Sequence, residues 1–254
     1  MLFDTHAHYD DKKFDEDRDA LLSSMKENGV GLVVNASFNV NSTKVAISLA
    51  EKYDFMDATA GIHPNNVDSC DDETFAEIKR LAAHPRVKAI GEIGLDYYWE
   101  KVDHEVQKEG FAKQIAIANE LSLPFVIHCR DACKDTLDIL KSEYKGGGAL
   151  MHCFSESKET AKILLDMGLK FAIGGTVTFK NNVRTVEAVK YIPLEHLVLE
   201  TDSPYLAPTP HRGERNSSLY IHYVAERIAE IKGISTEEVE EATTQNAKNF
   251  FGIK

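Results

Sequence analysis

Two histidines near the start of the chain, His6 and His8, are spaced so that both can bind one metal ion. They follow an apolar start and lie two residues apart. Side chains of a β-strand alternate between its faces, so His6 and His8 point to the same side of a strand. Two imidazoles on one face can ligate a divalent metal. An isolated pair is equally well explained by a surface or packing role, so the assignment depends on the rest of the chain.

Later apolar runs of the chain also end in a histidine or a carboxylate. A chance distribution of ten histidines is not expected to place one at four or five such ends. The metal-binding groups at these ends belong to His6, His8, Glu92, His128, His152 and Asp202. This mixed set of nitrogen and oxygen ligands suits Zn, Mn, Co or Fe and, with water ligands, tolerates Mg.

Six ligands exceed the needs of one catalytic ion, which keeps a position open for water. We therefore predict two divalent ions per chain (Mg, Mn or Zn), bridged by Glu92, which lies between the His6 side and the His128 side of the set. Asp202 is predicted to bind a metal and to accept a proton from the attacking water. Glu200 shares a strand face with Asp202 but lies one layer deeper, so we expect it to orient a ligand.

Substrate contacts are predicted from residues beside the ligands. Arg130 points to the same face as His128 and can bind a phosphate through two hydrogen bonds. His63 either contacts a substrate phosphate or only hydrogen-bonds its own loop. Further cations suited to phosphate are Lys180, Arg212 and Arg215.

A competing interpretation is a zinc site made of cysteine and histidine, because Cys129 and Cys153 directly follow His128 and His152. Neighbouring residues on a strand face opposite sides, so a cysteine and its adjacent histidine cannot both reach one ion. We expect both cysteines to pack behind the strands as small apolar residues.

The elements that position these residues are eight short apolar runs, at 2–6, 31–36, 55–61, 87–93, 124–128, 148–153, 170–174 and 197–202. Helix-like segments lie between them, near 17–28, 41–53, 72–83, 104–122, 131–143, 157–167, 181–190 and 216–232. Candidate N-caps are Asn41 or Ser42 for the second segment and Asp131 for the fifth.

Eight alternations predict one α/β domain, 1–254, folded as a TIM (β/α)8 barrel, with an additional C-terminal helix near 235–250 that packs outside it. The alternative, an open doubly wound sheet, lacks the Gly-x-Gly-x-x-Gly that would follow its first strand. A barrel keeps its chemistry at the C-terminal ends of its strands, where all of the candidate residues fall.

The charge and cysteine content of the chain argue against some classes of protein. The net charge of −12 argues against a broad basic face for nucleic acid, although bound cations can still hold a phosphate. No apolar run is long enough to span a membrane. Four cysteines and no export signal predict reduced thiols and a cytoplasmic protein. We predict no stable protein partner and a monomer.

Seven short motifs occur together and in a fixed order along the chain. They are Asp4-Thr-His-Ala-His8, Gly61-Ile-His-Pro64, Gly91-Glu-Ile-Gly-Leu-Asp-Tyr97, His128-Cys-Arg-Asp-Ala132, His152-Cys-Phe-Ser155, Thr178-Phe-Lys-Asn181 and Glu200-Thr-Asp-Ser-Pro-Tyr205. In this combination the sequence resembles the TatD family of metal-dependent deoxyribonucleases, within the amidohydrolase-like barrels. The resemblance covers essentially the whole chain.

The resemblance implies a TIM barrel with a divalent-metal site and DNase activity, often 3′→5′ exonuclease action on single strands. It places the metal ligands on the same six residues. Related amidohydrolases often bridge two metals with a carbamylated lysine at the fourth strand, where this chain has Glu92.

The chain departs from the family pattern at two places. Members commonly read His-Arg-Gly-Lys-x-Asn-Glu-Pro after the eighth strand, whereas residues 211–218 here place Glu214 at the lysine and Ser217-Ser218 at the Glu-Pro pair. Glu156 stands where His-Cys-Phe-Ser is usually followed by glycine. Both acidic residues are expected to add negative charge near the barrel mouth and to repel a polyphosphate chain.

The predicted function is a metal-dependent hydrolase that cleaves DNA phosphodiester bonds with metal-activated water. An alternative is a hydrolase of a small phosphodiester, amide, ester or lactone, because the same ligand set can activate water against either type of bond. A further alternative is a protein that is not an enzyme, in which the barrel no longer turns over substrate and serves as a scaffold.

Overall fold

The computed structural model describes residues 1–254 and contains one sheet of eight parallel strands in sequence order. The strands are β1 (Leu2–Ala7), β2 (Val30–Asn35), β3 (Met56–Ala60), β4 (Val87–Asp96), β5 (Phe125–Arg130), β6 (Ala149–Met151), β7 (Lys170–Ile173) and β8 (Leu197–Leu199). Each strand pairs with the next in parallel register. The predicted (β/α)8 barrel is confirmed.

Nine α-helices follow or connect the strands. They are α1 (Arg18–Ser23), α2 (Val40–Lys52), α3 (Asp72–Ala82), α4 (His104–Leu121), α5 (Cys133–Glu143), α6 (Lys158–Asp166), α7 (Val183–Tyr191), α8 (Ile221–Lys232) and α9 (Thr236–Phe251). None of them has the length and apolar character that a bilayer-spanning helix needs.

The apolar core has two layers. A cluster of 55 buried residues lies mainly between the strands and the helices. A second cluster of nine buried residues contains one inward-facing side chain from most strands, together with Ala247 and Phe251 of α9. The Phe251 ring lies 5.8 Å from the ring of Phe3 in β1. The additional C-terminal helix that the sequence predicted is present as α9, and it also packs Ala247 and Phe251 against the inner core of the barrel.

Two helix starts differ from the predicted N-caps. Helix α2 begins after Asn39, whose side chain accepts the N–H of Ser42 while the Ser42 hydroxyl accepts the N–H of Asn39. This reciprocal capping box starts the helix earlier than a cap at Asn41 would. Helix α5 begins at Cys133, and Asp131 lies in the turn before it with a φ of 53°.

The barrel closes by hydrogen bonds between β1 and the segment after β8. The N–H of Asp202 donates to the carbonyl of His6 at 2.9 Å, and the N–H of His8 donates to the carbonyl of Ser203 at 2.7 Å. An isolated parallel bridge also joins Ala7 to Ser203. The seam of the barrel therefore holds three of the predicted site residues next to one another.

Strand β5 reaches its position beside β4 because of a glycine. Gly94 pairs with His128 and has a φ of +138°, which side chains rarely allow. A Cβ atom at this position would overlap the carbonyl oxygen of His128. The absence of a side chain at Gly94 lets His128 approach the other predicted ligands.

Candidate metal centre

Glu92 lies at the centre of a group of buried histidines at the C-terminal end of the barrel. Its Oε1 lies 2.6 Å from His128 Nδ1 and 3.3 Å from His152 Nε2. Its Oε2 lies 3.5 Å from His6 Nε2 and 3.8 Å from His8 Nε2. Each carboxylate oxygen faces a different pair of histidines, which is the arrangement that a carboxylate needs in order to bridge two metal ions.

Hydrogen bonds on the outer side of two imidazoles fix which ring nitrogen faces Glu92. His8 Nδ1 lies 3.1 Å from the carbonyl oxygen of Ala36, and His152 Nδ1 lies 3.1 Å from Glu200 Oε2. Carbonyl and carboxylate oxygens accept hydrogen bonds, so each Nδ1 donates and, in the neutral ring, Nε2 keeps its lone pair. Metal-binding histidines are oriented in this way.

Asp96 plays the same part for His128 and was not predicted from the sequence. Its Oδ2 lies 3.1 Å from His128 Nε2, and its Oδ1 accepts the backbone N–H groups of Tyr98 and Trp99. His128 therefore faces Glu92 through Nδ1. Asp96 lies four residues after Glu92 on one strand, and strand alternation could have placed both on the same face.

Asp202 closes the group from the opposite side. Its Oδ1 lies 3.4 Å from His8 Nε2 and 4.0 Å from His6 Nε2. Burial by itself raises the pKa of Asp202, but the hydrogen bond from His8 and the charge of His152 bring the pKa below its usual value. The side chain of Asp202 is 16% exposed, against 5% for that of Glu92. Asp202 is therefore an ionised carboxylate that solvent can reach.

The donor groups fit a divalent metal. His6 Nε2 and His8 Nε2 lie 3.2 Å apart, a distance at which two ring nitrogens must share a proton or a cation. His6 Nδ1 is buried without a hydrogen-bond partner. Burial, followed by the charge of His152, lowers the pKa of His6 and favours its neutral form. Three groups of converging ligand atoms result: His6, His152 and Asp202; His6, His8 and Glu92; and His63, Glu92 and His128.

His63 differs from the other histidines because its Nδ1 accepts a hydrogen bond. The donor is the backbone N–H of Asn65, at 3.1 Å. Burial, followed by the charge of His128, lowers the pKa of His63 to about 3, so the ring is neutral and carries its proton on Nε2. That Nε2 lies 3.6 Å from Glu92 Oε1. His63 therefore offers an N–H donor to the centre, which suits a substrate oxygen better than a metal ion.

A cavity of about 470 Å³ opens onto the centre and brings the two predicted substrate-binding arginines together. Arg130 and Arg212 both line it, next to His152 and Asp202. The guanidinium of Arg212 lies over the ring of Phe179, 4.4 Å from its centroid. A phosphate in this cavity would lie between two cations and the candidate metal ligands.

The comparisons with known proteins agree with this geometry. The family model described as TatD related DNase matches residues 3–252. The chain belongs to the TatD family. It is 44% identical to the uncharacterized metal-dependent hydrolase YabD of Bacillus subtilis, with all of both chains covered. It is 38% identical to the uncharacterized metal-dependent hydrolase YcfH of Escherichia coli, covering 100% of this chain and 96% of YcfH.

A solved TatD structure shares the fold. The crystal structure of YjjV, a TatD homologue from Escherichia coli K12, matches with a TM-score of 0.94 and 26% sequence identity, covering 100% of this chain and 98% of YjjV. The chain is thus a metal-dependent hydrolase of the TatD type, and its clustered histidines and carboxylates are consistent with the use of divalent metal.

The two acidic departures from the TatD pattern lie outside the cavities at the centre. Glu156 forms an ion pair with Arg184, which compensates its charge. Glu214 Oε2 lies 2.9 Å from His211 Nδ1 and points to solvent. Neither carboxylate lines a cavity that contains the candidate ligands. Glu156 is thus paired with a cation and Glu214 contacts a histidine, and both carboxylates lie away from the residues that line these cavities.

Other residues of the same TatD loop have structural partners. Arg215 Nη1 lies 2.7 Å from Asp17 Oδ1, so this cation, which the sequence grouped with phosphate ligands, is already paired. The Ser218 hydroxyl lies 2.5 Å from Asp4 Oδ2 and 2.8 Å from the Tyr9 hydroxyl. Ser218 therefore anchors the loop to the start of the barrel.

Lys180, another cation that the sequence suggested for phosphate, lies outside this loop and lines a cavity that contains none of the candidate metal ligands.

Glu200→Gln is expected to weaken metal binding about 10- to 100-fold, because Glu200 fixes the orientation and basicity of His152. Glu200 Oε1 also accepts the N–H of Cys153 at 2.7 Å. A glutamine that keeps this bond turns its NH₂ group toward His152 Nδ1–H, so two donors face each other. Titration of metal-stripped protein with Mn²⁺ measures the effect. Glu187→Gln on α7 is the matched control, and equal affinities for the two variants would contradict this role.

Metal affinity is expected to rise with pH between about 6.5 and 8.5, because metal must displace protons from two histidines. Burial lowers the pKa of His8, but Asp202 and Glu92 outweigh burial and raise it to about 9. Burial also lowers the pKa of His152, but the charge of Glu200 outweighs burial and raises this pKa to about 10.

The sign of the effect on stability differs between the metal-free and the metal-loaded chain. A histidine whose pKa is raised in the folded state contributes its full stabilisation to the metal-free chain at pH values below its unfolded-state pKa of about 6.5. That contribution is lost as pH rises through the folded pKa. The Tm difference between metal-loaded and metal-stripped protein should therefore widen from pH 6.5 to 8.5. A difference that shrinks over this range would contradict the assignment.

Proposed function

We propose that this hydrolase is a deoxyribonuclease that removes nucleotides from DNA, in the manner of a 3′→5′ exonuclease, with two divalent ions (Mg, Mn or Zn) per chain. The observation that carries the proposal is the bridging geometry of Glu92, with Oε1 at 2.6 Å from His128 and Oε2 at 3.5 Å from His6. The proposed metal ligands are His6, His8, Glu92, His128, His152 and Asp202.

Each residue at the centre has a proposed task. The ions, when bound, lower the pKa of water and neutralise charge on the phosphoryl oxygens. Asp202 accepts the proton of the attacking water, because it is ionised and accessible to solvent. Glu92 holds the two halves of the centre at a fixed separation. His63 donates its Nε2–H to a phosphate oxygen, and Arg130 neutralises a second oxygen.

A phosphodiester is the substrate class that the surroundings favour. Arg130 and Arg212 line the cavity beside the ligands, although the chain as a whole carries a net charge of −12. Positive charge is thus concentrated where a backbone phosphate would meet the centre. The family model that covers the chain describes DNases, which supports DNA over an amide, ester or lactone.

The decisive experiment follows nucleotide release from 3′-labelled and 5′-labelled single-stranded DNA. Metal-stripped protein receives Mg²⁺, Mn²⁺ or Zn²⁺ separately, with His128→Ala as the test variant and His84→Ala as the matched control. We expect activity that metal restores, that His128→Ala loses and that His84→Ala keeps, with a product ladder that shortens from the 3′ end. A wild-type protein that binds metal but releases no nucleotide would refute the proposal and direct assays to small phosphodiesters and lactones.

We further propose that the chain acts as a monomer, as one hydrolase domain spanning 1–254, in the cytoplasm. The four cysteines are all free, which is the state expected of thiols in a reducing compartment. Size-exclusion chromatography with light scattering tests the monomer, and a mass of twice 28.4 kDa would contradict it.

A further inference from the structure

Two adjacent aromatic side chains, Tyr98 and Trp99, are exposed beside the metal centre. Tyr98 is 53% exposed and Trp99 is 54% exposed. They follow β4, the strand that carries Glu92. Large aromatic rings are usually withdrawn from water or used in binding, so exposure at this place calls for a function.

The loop that carries these rings is fixed to the metal centre. Asp96 Oδ1 accepts the N–H of Tyr98 at 3.0 Å and the N–H of Trp99 at 3.3 Å. The other oxygen of Asp96 lies 3.1 Å from His128. One carboxylate therefore sets both the orientation of a candidate metal ligand and the position of the aromatic pair.

The two rings differ in what they contact. The guanidinium of Arg130 covers the face of Tyr98, 3.8 Å from its centroid. The rings of Tyr98 and Trp99 are perpendicular, with centroids 5.0 Å apart. Tyr98 thus supports the arginine that borders the catalytic cavity. The Trp99 ring has no cation as close to it, since Arg130 and Lys101 each lie 5.7 Å from its centroid.

Trp99 lines a second cavity, of about 770 Å³, which also opens onto the centre. His8, His63 and Glu92 form its inner end, and Lys101 and Arg130 line it beside Trp99. Asp10, Asp11 and Lys12 line it as well. Two of its three lysine and arginine side chains, Lys101 and Arg130, lie 5.7 Å from the centroid of the Trp99 ring, and the volume lies within the usual range for a small-molecule site.

We propose that Trp99 and Lys101, the stacking platform, bind the nucleotide next to the phosphate at the metal centre. The base of that nucleotide stacks on the Trp99 ring, and Lys101 pairs with its backbone phosphate. Stacking on an aromatic ring accepts every base, because every base has a π face. The platform supplies affinity without sequence preference and requires a base that is unstacked from its neighbours. This inference rests on the proposed nuclease function.

The chain offers a direct probe of the platform, because Trp99 is its only tryptophan. The test uses metal-loaded protein and hydrolysis-resistant phosphorothioate oligothymidylate, with and without the bases of its two 3′-terminal nucleotides. We expect the complete oligonucleotide to quench Trp99 fluorescence. The abasic one should bind about tenfold more weakly, measured by anisotropy of a 5′ label, and leave the fluorescence unchanged.

Variants separate stacking from other effects. Trp99→Ala should bind the complete oligonucleotide about tenfold more weakly and the abasic one unchanged, and Trp99→Phe should recover most of the affinity. Tyr191→Ala, at the end of α7, removes another exposed aromatic ring and should change neither value.

The outcomes for the platform and for the nuclease are distinct. An equal loss, or no loss, on both oligonucleotides in Trp99→Ala overturns the platform, whatever the rate of DNA hydrolysis. Base-dependent quenching without any hydrolysis of natural DNA retains the platform and refutes the nuclease. Absence of oligonucleotide binding by the metal-loaded wild type overturns both.

Discussion

Glu92→Gln is expected to lower hydrolysis by about 10³-fold and to release at least one metal ion. Glutamine keeps the volume of the buried side chain but removes its charge and replaces one acceptor oxygen with a donor. The two oxygens of Glu92 lie 2.6 Å from His128 Nδ1 and 3.5 Å from His6 Nε2, so either orientation of the amide turns its NH₂ group toward a histidine lone pair. Metal content per chain and turnover of single-stranded DNA measure both effects.

The control for Glu92→Gln is Glu120→Gln, an exposed carboxylate on α4 that pairs with Lys79. It carries the same chemical change away from the centre and should keep wild-type metal content and turnover. If Glu92→Gln retained two ions per chain and turned over DNA within threefold of the control, the bridging role would be refuted. Circular dichroism of both variants checks that the barrel is intact.

Asp202→Asn is expected to lower kcat by about 10² to 10⁴, the usual contribution of a positioned general base. The asparagine side chain cannot take a proton from water at neutral pH, although its Oδ1 can still accept a hydrogen bond from His8. Burial raises the pKa of Asp202 in the wild type, but the hydrogen bond from His8 and the charge of His152 outweigh burial and bring the pKa below its usual value. The base is therefore already ionised at neutral pH.

The Asp202 measurement requires saturating metal, because the same carboxylate is a candidate ligand. Turnover is measured over a Mn²⁺ series until it no longer changes, and kcat is compared at the plateau. A plateau equal to that of the wild type would show that Asp202 only helps to bind metal. Asp166→Asn, at the end of α6, is the matched control and should leave both the plateau and the metal dependence unchanged.

The barrel and the grouping of the site could be predicted from local sequence patterns. Strand alternation places His6 and His8 on one face, and the recurrence of ligand-type residues at strand ends puts them at one rim of a parallel barrel. The motif order that resembles the TatD family points to the same residues. These predictions needed only the period of each strand and the rule that parallel barrels keep chemistry at one end.

Other features depend on contacts between distant segments and could not be obtained in this way. The ion pair of Arg215 with Asp17 joins residues that lie 198 positions apart in the sequence. The ion pair of Glu156 with Arg184 likewise depends on how α7 packs beside the segment that precedes α6. Periodicity gives the face of a side chain but not its partner across the fold.

The seam between β1 and the segment after β8 makes the centre a product of the whole chain. His6 and Asp202 are neighbours only when the first and the eighth strands meet, which requires closing a loop that spans 196 sequence positions. A nascent chain that has left the ribosome only as far as β7 has His6 and His8 but lacks the residue that completes their group. A metal ion held by the proposed ligands on both sides of this seam would join the two ends of the barrel. The proposed centre can therefore assemble only after the eighth strand has been synthesised, and a product truncated before it would lack an intact centre.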